Sequence, residues 1–153
     1  SMGWENRYYK SLFSNGDNYN VKDICINYLE GLEWVFKYYI DDCFDWKWSY
    51  KYNYPPLLKD LCKFIPNKFH SFIKTKKDNA FSANVQLAYV LPIKNHYILP
   101  QSIREYIQEN EQKYYPYEFS FEWSFCKYFW ECHCVLPHIP LNILESWDRK
   151  WLV

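Results

Sequence analysis

Two linked stretches decide this sequence: Tyr28-Leu29-Glu30-Gly31-Leu32-Glu33-Trp34-Val35-Phe36-Lys37-Tyr38-Tyr39, then Asp45-Trp46-Lys47-Trp48-Ser49-Tyr50-Lys51-Tyr52-Asn53-Tyr54-Pro55-Pro56. The first belongs to a longer periodic run. Val21, Ile24, Cys25, Tyr28, Leu32, Val35, Phe36 and Tyr39 recur at helical spacing, which predicts a helix from Val21 to about Tyr39. Asn20 supplies its N-cap and Asp23 stands three residues on. Gly31 in its interior costs about 1 kcal/mol relative to Ala, so its presence predicts another backbone packed close at that point. Tyr28, Trp34 and Tyr39 read as core residues, or as a face packed on a domain outside this chain. From Asp41 to Tyr54 the periodicity breaks, and an aromatic loop is expected.

Working outward, Trp4, Tyr8, Tyr9, Leu12 and Phe13 predict a short amphipathic helix, and Asn15-Gly16-Asp17-Asn18 signals a turn. Pro55-Pro56 opens a short helix from Leu57 to Ile65, stopped by Pro66. The Lys-rich stretch from Asn67 to Asn79 reads as a surface loop. Ser82 is placed to cap a helix running to Val90, which ends before Pro92. A further helix is expected from Gln101 to about Glu109, one or two strands within Tyr117–Val135, and a final helix from Pro140 to Trp147. The fold class is therefore α+β, predominantly α-helical with a few short strands. Residues 4–153 read as one domain, and Ser1-Met2 as a scar left by tag cleavage. The apolar end Trp151-Leu152-Val153 sets the expectation of a piece of something longer.

The 153 residues are 23% aromatic, with 16 Tyr, 11 Phe and 8 Trp, while Gly numbers only 3. This balance excludes disorder, linker and collagen-like classes. Abundant Lys, Asn, Ile, Tyr and Phe beside scarce Ala and Gly point to an A+T-rich genome, as some protists and large DNA viruses have. Trp has a single G-rich codon, so the Trp residues need a physical reason. No apolar run approaches the roughly 18 residues that span a bilayer, and no secretion signal is visible, which implies an intracellular protein with no membrane partner. The six Cys are then expected as thiols, with Cys25 and Cys62 as small buried hydrophobes.

Formal net charge is zero but uneven. Residues 1–77 carry 12 Lys/Arg against 9 Asp/Glu, and residues 78–153 carry 6 against 9. Between 46 and 77, Lys47, Lys51, Lys59, Lys63, Lys68, Lys74, Lys76 and Lys77 face only Asp60, a net +7. Such a window is either a solvated Lys face or a surface that attracts phosphate backbone. At its head, aromatics alternate with Lys. Rings that stack bases beside cations that meet phosphates suit single-stranded nucleic acid; a structural loop pinned into the core would show the same pattern.

Other chemistry is less well supplied. Asp41, Asp42 and Asp45 form an acidic cluster that suits Mg²⁺ or simply a solvated helix end. Cys126, Cys132, His133, Cys134 and His138 are spaced C-x5-C-H-C-x3-H, which matches no standard zinc pattern. Three Gly cannot build a phosphate-cradling loop, and no nucleophile elbow is present.

The two opening stretches resemble the second conserved region of the XRN/Rat-type 5'-3' exoribonucleases, which reads Y-x-x-G-x-x-W-x-x-x-Y-Y and then W-x-W-x-Y-x-Y-x-Y-x-P. Gln86-Leu87-Ala88-Tyr89-Val90-Leu91-Pro92, Tyr115-Pro116 and Val135-Leu136-Pro137 look like further landmarks in the same order. The likeness runs from about Trp4 to Trp147. Lys51, Asn53 and Pro55 stand where the family often has Pro, His and Ala, so the family's His has no counterpart here.

The resemblance implies part of an enzyme that degrades 5'-monophosphorylated single-stranded RNA, in the cytoplasm or nucleus. It implies no catalytic or metal-binding residue and no cofactor in this segment, with Mg²⁺ held by an N-terminal nuclease region that is a partner to it. By motif position, Trp48 or Trp46 would stack on a base; the alternating Lys47 and Lys51 are the candidates to meet the RNA backbone. The alternative is a non-catalytic RNA- or protein-binding module of the same fold; a small zinc protein is a third reading.

Overall fold

In the computed structural model, residues 3–13, 19–73 and 78–151 are described. The turn signal at 15–18, Lys74, Lys76, Lys77 and the residues at both extreme ends lie outside them. The chain divides into two compact units, Ser1–Asn79 and Ala80–Val153.

The first unit holds α1 (Trp4–Phe13), α2 (Val21–Ile40) and the short α3 (Leu58–Leu61), which tightens into a 3-10 turn at Cys62–Phe64. The Asn20 side chain accepts the Lys22 N–H, satisfying one of the orphan donors of the first turn of α2. Cys25, Leu29 and Leu61 form a core, with Val21, Tyr28, Phe64 and Phe72 packed on it. Tyr9 is buried as well, and its hydroxyl ties two segments together. It donates to Asp60 Oδ2 (3.0 Å) and accepts the Leu57 N–H (3.0 Å).

One open alternative narrows, and two expectations need correction. The apolar stripe of α2 is buried only in its first half; beyond Gly31 its outer face is open, and Tyr39 is 80% exposed. Cys62 follows α3 at core spacing, but the chain tightens there and turns it outward, so it is exposed. The stretch from Asn67 is irregular as expected but not all superficial. Glu33 accepts the N–H groups of Phe72 and Ile73, and Ile73 is buried.

The second unit holds α4 (Ala83–Val90), a 3-10 segment at Ile93–Ile98, α5 (Gln101–Asn110), β1 (Ser120–Glu122), β2 (His133–Val135) and α6 (Leu141–Trp151). The two strands pair antiparallel, with Phe121 opposite Cys134. Its core gathers Val85, Ala88, Ile103, Ile107, Tyr115 and Trp147 among others. Trp147 is fully buried and still hydrogen-bonds, Nε1 donating to Glu111 Oε1 at 3.3 Å. Trp151 stacks on it at 5.0 Å. Ser82 occupies the N-cap position of α4, but its hydroxyl makes no capping bond and lies buried without a hydrogen-bond partner. The helix end is held instead through the Ser82 N–H, which donates to Asp148 Oδ1 at 2.8 Å. The fold is thus predominantly helical α+β, as the sequence implies.

Candidate nucleic-acid interface

The loop after α2 is irregular yet heavily fastened. From Trp48 to Tyr54, even-numbered aromatics are half-buried and odd-numbered polar residues exposed. The aromatics face the helices. Tyr50 packs edge-on to Tyr28 (5.6 Å) and donates to the Tyr54 carbonyl (2.7 Å), and Tyr52 meets Phe13 (5.7 Å). Burial, then the neighbouring Tyr52 and Tyr28, push the Tyr50 hydroxyl pKa well up. The Lys51 N–H donates to the buried Asn27 amide oxygen (2.9 Å), and Tyr8 donates to the Pro55 carbonyl (2.8 Å). Tyr50 and Tyr52 are thereby structural rings.

Trp48 is set differently. Its indole stacks on Trp34 (5.9 Å, 20°), which in turn stacks on Tyr38 (5.3 Å, 6°). The far edge of the ring lies over Gly31: a Cβ there would meet Trp48 Cη2 at 2.7 Å. The close approach that the glycine signals is therefore made by an indole and not by a backbone. Trp34 Nε1 donates to the Asp45 carbonyl (2.9 Å), joining the stack to the start of the loop.

Trp46 breaks the alternation. Its backbone is fixed, with its N–H donating to Asp78 Oδ1 (3.2 Å) and the next N–H, of Lys47, donating to Asp45 Oδ1 (2.9 Å). The residue is nevertheless 49% exposed. The structure thus brings Trp46, Lys47, Trp48 and Lys51 together on one anchored loop, with Trp46 the more open indole and Trp48 the more constrained.

The basic window is less cationic than its sequence count. Lys59 is paired with Glu5, and Lys63 with Asp60 at 2.6 Å. The Asp60 carboxylate is held below its usual range, first by the Lys63 hydrogen bond and against the opposing effect of burial. Lys51 and Lys68 remain exposed. Lys37 is committed to Glu33 (2.6 Å) and Ser71 (3.2 Å).

Two carboxylates of the acidic cluster, those of Asp42 and Asp45, serve local structure. Asp42 Oδ1 accepts the Cys43 N–H (2.7 Å), and Asp45 serves Lys47 and Trp34. Among the described residues no group of three or more His, Cys, Asp or Glu side chains is placed to hold a metal ion. Among the described residues, no helix is long and apolar enough to cross a membrane.

Periodicity missed one feature: the exposed aromatics around the β1–β2 hairpin. Trp123, Phe125, Phe129 and Trp130 all lie open, Trp130 at 78%. The sequence shows these rings but carries no sign of which would be covered.

Fold and loop together define a predominantly helical α+β module that offers an anchored aromatic surface. The chain belongs to the Xrn1 helical domain family, whose model matches residues 1–148. It is 29% identical over 157 residues to the 5'-3' exoribonuclease 2 of Debaryomyces hansenii, covering 97% of this chain and 16% of that protein. It is 33% identical over 148 residues to the 5'-3' exoribonuclease 2 of Saccharomyces cerevisiae, covering 93% and 14%. With the 5'-3' exoribonuclease 1 of Schizosaccharomyces pombe it shares 30% over 155 residues, covering 95% and 11%. The chain therefore spans about a sixth or less of the length of these relatives. All three come from yeasts and lend no support to a protist or viral source.

Proposed function

We propose that this chain is the helical part of a 5'-3' exoribonuclease, shaping the channel for single-stranded RNA with a 5'-monophosphate, while the nuclease chemistry and its Mg²⁺ belong to a region outside it. Residues 4–153 work as one domain in this reading, in a cytoplasmic or nuclear enzyme. The observation that carries it is Trp46: an indole half exposed on a backbone fastened on both sides, in a loop whose tyrosines are turned inward. Trp46 stacks on a base, Trp48 backs the same surface from its slot over Gly31, and Lys47 and Lys51 meet the RNA backbone. The open outer half of α2, with Leu32, Val35, Phe36, Tyr39 and Ile40, suits burial against the nuclease region.

Incubation with 5'-monophosphorylated RNA and Mg²⁺ tests the division of labour. The chain alone should leave the RNA intact, and the full-length polypeptide should shorten it from the 5' end. Degradation by the chain alone that is lost with Asp41, Asp42 and Asp45 changed to Asn would overturn it. The second reading, a non-catalytic module that binds RNA or protein, is favoured by the exposed aromatics around the β1–β2 hairpin. It gains if the full-length polypeptide is inactive too.

A further inference from the structure

The return from β1 to β2 carries Cys126 and Cys132, with Cys134 on β2 itself. Phe125 adopts a positive φ of 59°, a left-handed conformation that a bulky aromatic rarely takes. The turn it makes brings the Cys126 N–H to the Trp123 carbonyl (3.0 Å). Cys126 Sγ then reaches the carbonyl of Glu131 (3.2 Å), the residue joined directly to Cys132. Cys132 follows a 3-10 turn at Phe129–Glu131, with its N–H on the Phe129 carbonyl (3.1 Å) and its Sγ on the Tyr128 carbonyl (3.6 Å). The Cys126 thiol thus lies against the backbone that carries Cys132. Cys126 and Cys132 are half-exposed and Cys134 is exposed, unlike the fully buried Cys25.

We propose that Cys126 and Cys132 are a reversible thiol–disulfide modification site, with a small soluble disulfide such as oxidised glutathione as co-reactant. The thiolate of Cys126 attacks one sulfur of glutathione disulfide, forming a mixed disulfide and releasing one glutathione thiolate. Cys132, after losing its proton to solvent, attacks the Cys126 sulfur; the Cys126–Cys132 bond forms and the second glutathione thiolate leaves. The two cysteines lose two electrons, glutathione disulfide gains them, and the two protons end on the two glutathiones. Burial, then the Cys126 thiol, push the Cys132 thiol up, which suits it to the second step and not the first. Closure ties down the segment that carries Tyr128 and Trp130, rings stacked at 4.5 Å. The exposed aromatic face of the hairpin is thereby made sensitive to oxidation.

The full chain, reduced and then equilibrated in graded mixtures of reduced and oxidised glutathione, tests this by alkylation and peptide mass mapping. The expected result is the loss of two of the six free thiols, in one peptide linking Cys126 to Cys132 and reversed by excess reduced glutathione. Cys126→Ser and Cys132→Ser should each form no intramolecular link, and Cys134→Ser should close as the parent chain does. Thiols that stay free, glutathione adducts that never resolve, or a link that uses Cys134 would overturn the proposal. The parent chain's map decides without any variant.

Discussion

An alanine at Gly31 would set its methyl group 2.7 Å from Trp48 Cη2. Helix propensity alone would favour the change by about 1 kcal/mol. The ring cannot simply swing aside, because its other side is stacked on Trp34, and overpacking of this kind costs about 1–3 kcal/mol. Gly31→Ala should therefore destabilise the chain by up to about 2 kcal/mol in denaturant unfolding, and adding Trp48→Leu should recover the alanine's propensity gain. A stabilised single variant would show that the indole moves freely.

Glu33 offers a second residue-scale test. Burial works to raise its pKa, but hydrogen bonds from Lys37, Ser71 and the Phe72 N–H outweigh it and hold the carboxyl at about 2, against an ordinary 4.5. A depressed folded-state value stabilises the fold above the unfolded value, and the contribution is lost as protons bind the native state. Stability should fall as pH drops from about 4.5 toward 2. Glu33→Gln should lower stability at neutral pH and flatten that part of the profile, read by thermal melts across the range.

At the scale of the element, α2 shows what the sequence can and cannot reveal. Its span and its Asn20 cap were legible, because period and capping chemistry are local properties of the chain. Asn20→Ala should cost about 1 kcal/mol. Its covered face was not legible. The same apolar spacing serves a core and a docking surface, and only the tertiary neighbours separate buried Ile24 and Cys25 from open Phe36 and Tyr39. Phe36→Glu should change stability by no more than about 0.5 kcal/mol while reducing self-association in light scattering. A large loss of stability would mean that the outer half of α2 is core. The loop gives the converse lesson. Its alternation of aromatic and polar residues left a nucleic-acid surface and a loop pinned into the core equally open, and the hydrogen bond of Tyr50 and the edge contact of Tyr52 make those two rings structural. The window of eight Lys was counted against Asp60 alone; Glu5, from outside the window, pairs with Lys59 as well.

For the whole molecule, the Trp residues now divide by environment. Trp34, Trp48, Trp147 and Trp151 are covered by stacking or by the core, whereas Trp4, Trp46, Trp123 and Trp130 are open, Trp130 even though it stacks on Tyr128. Family membership was legible because motif order along the chain is itself a sequence property. Which Trp would be free was not, since Trp46 and Trp48 differ only in what lies behind them. The central claim is that Trp46, on its anchored loop, stacks on RNA. Titration of the chain with single-stranded RNA at fixed salt measures it most directly. Trp46→Ala should weaken binding by about 1–3 kcal/mol, roughly 5- to 150-fold, and Lys51→Ala should reduce the slope of log affinity against log salt by about 0.7. Unchanged affinity in Trp46→Ala, with the fold intact by circular dichroism, would contradict the account.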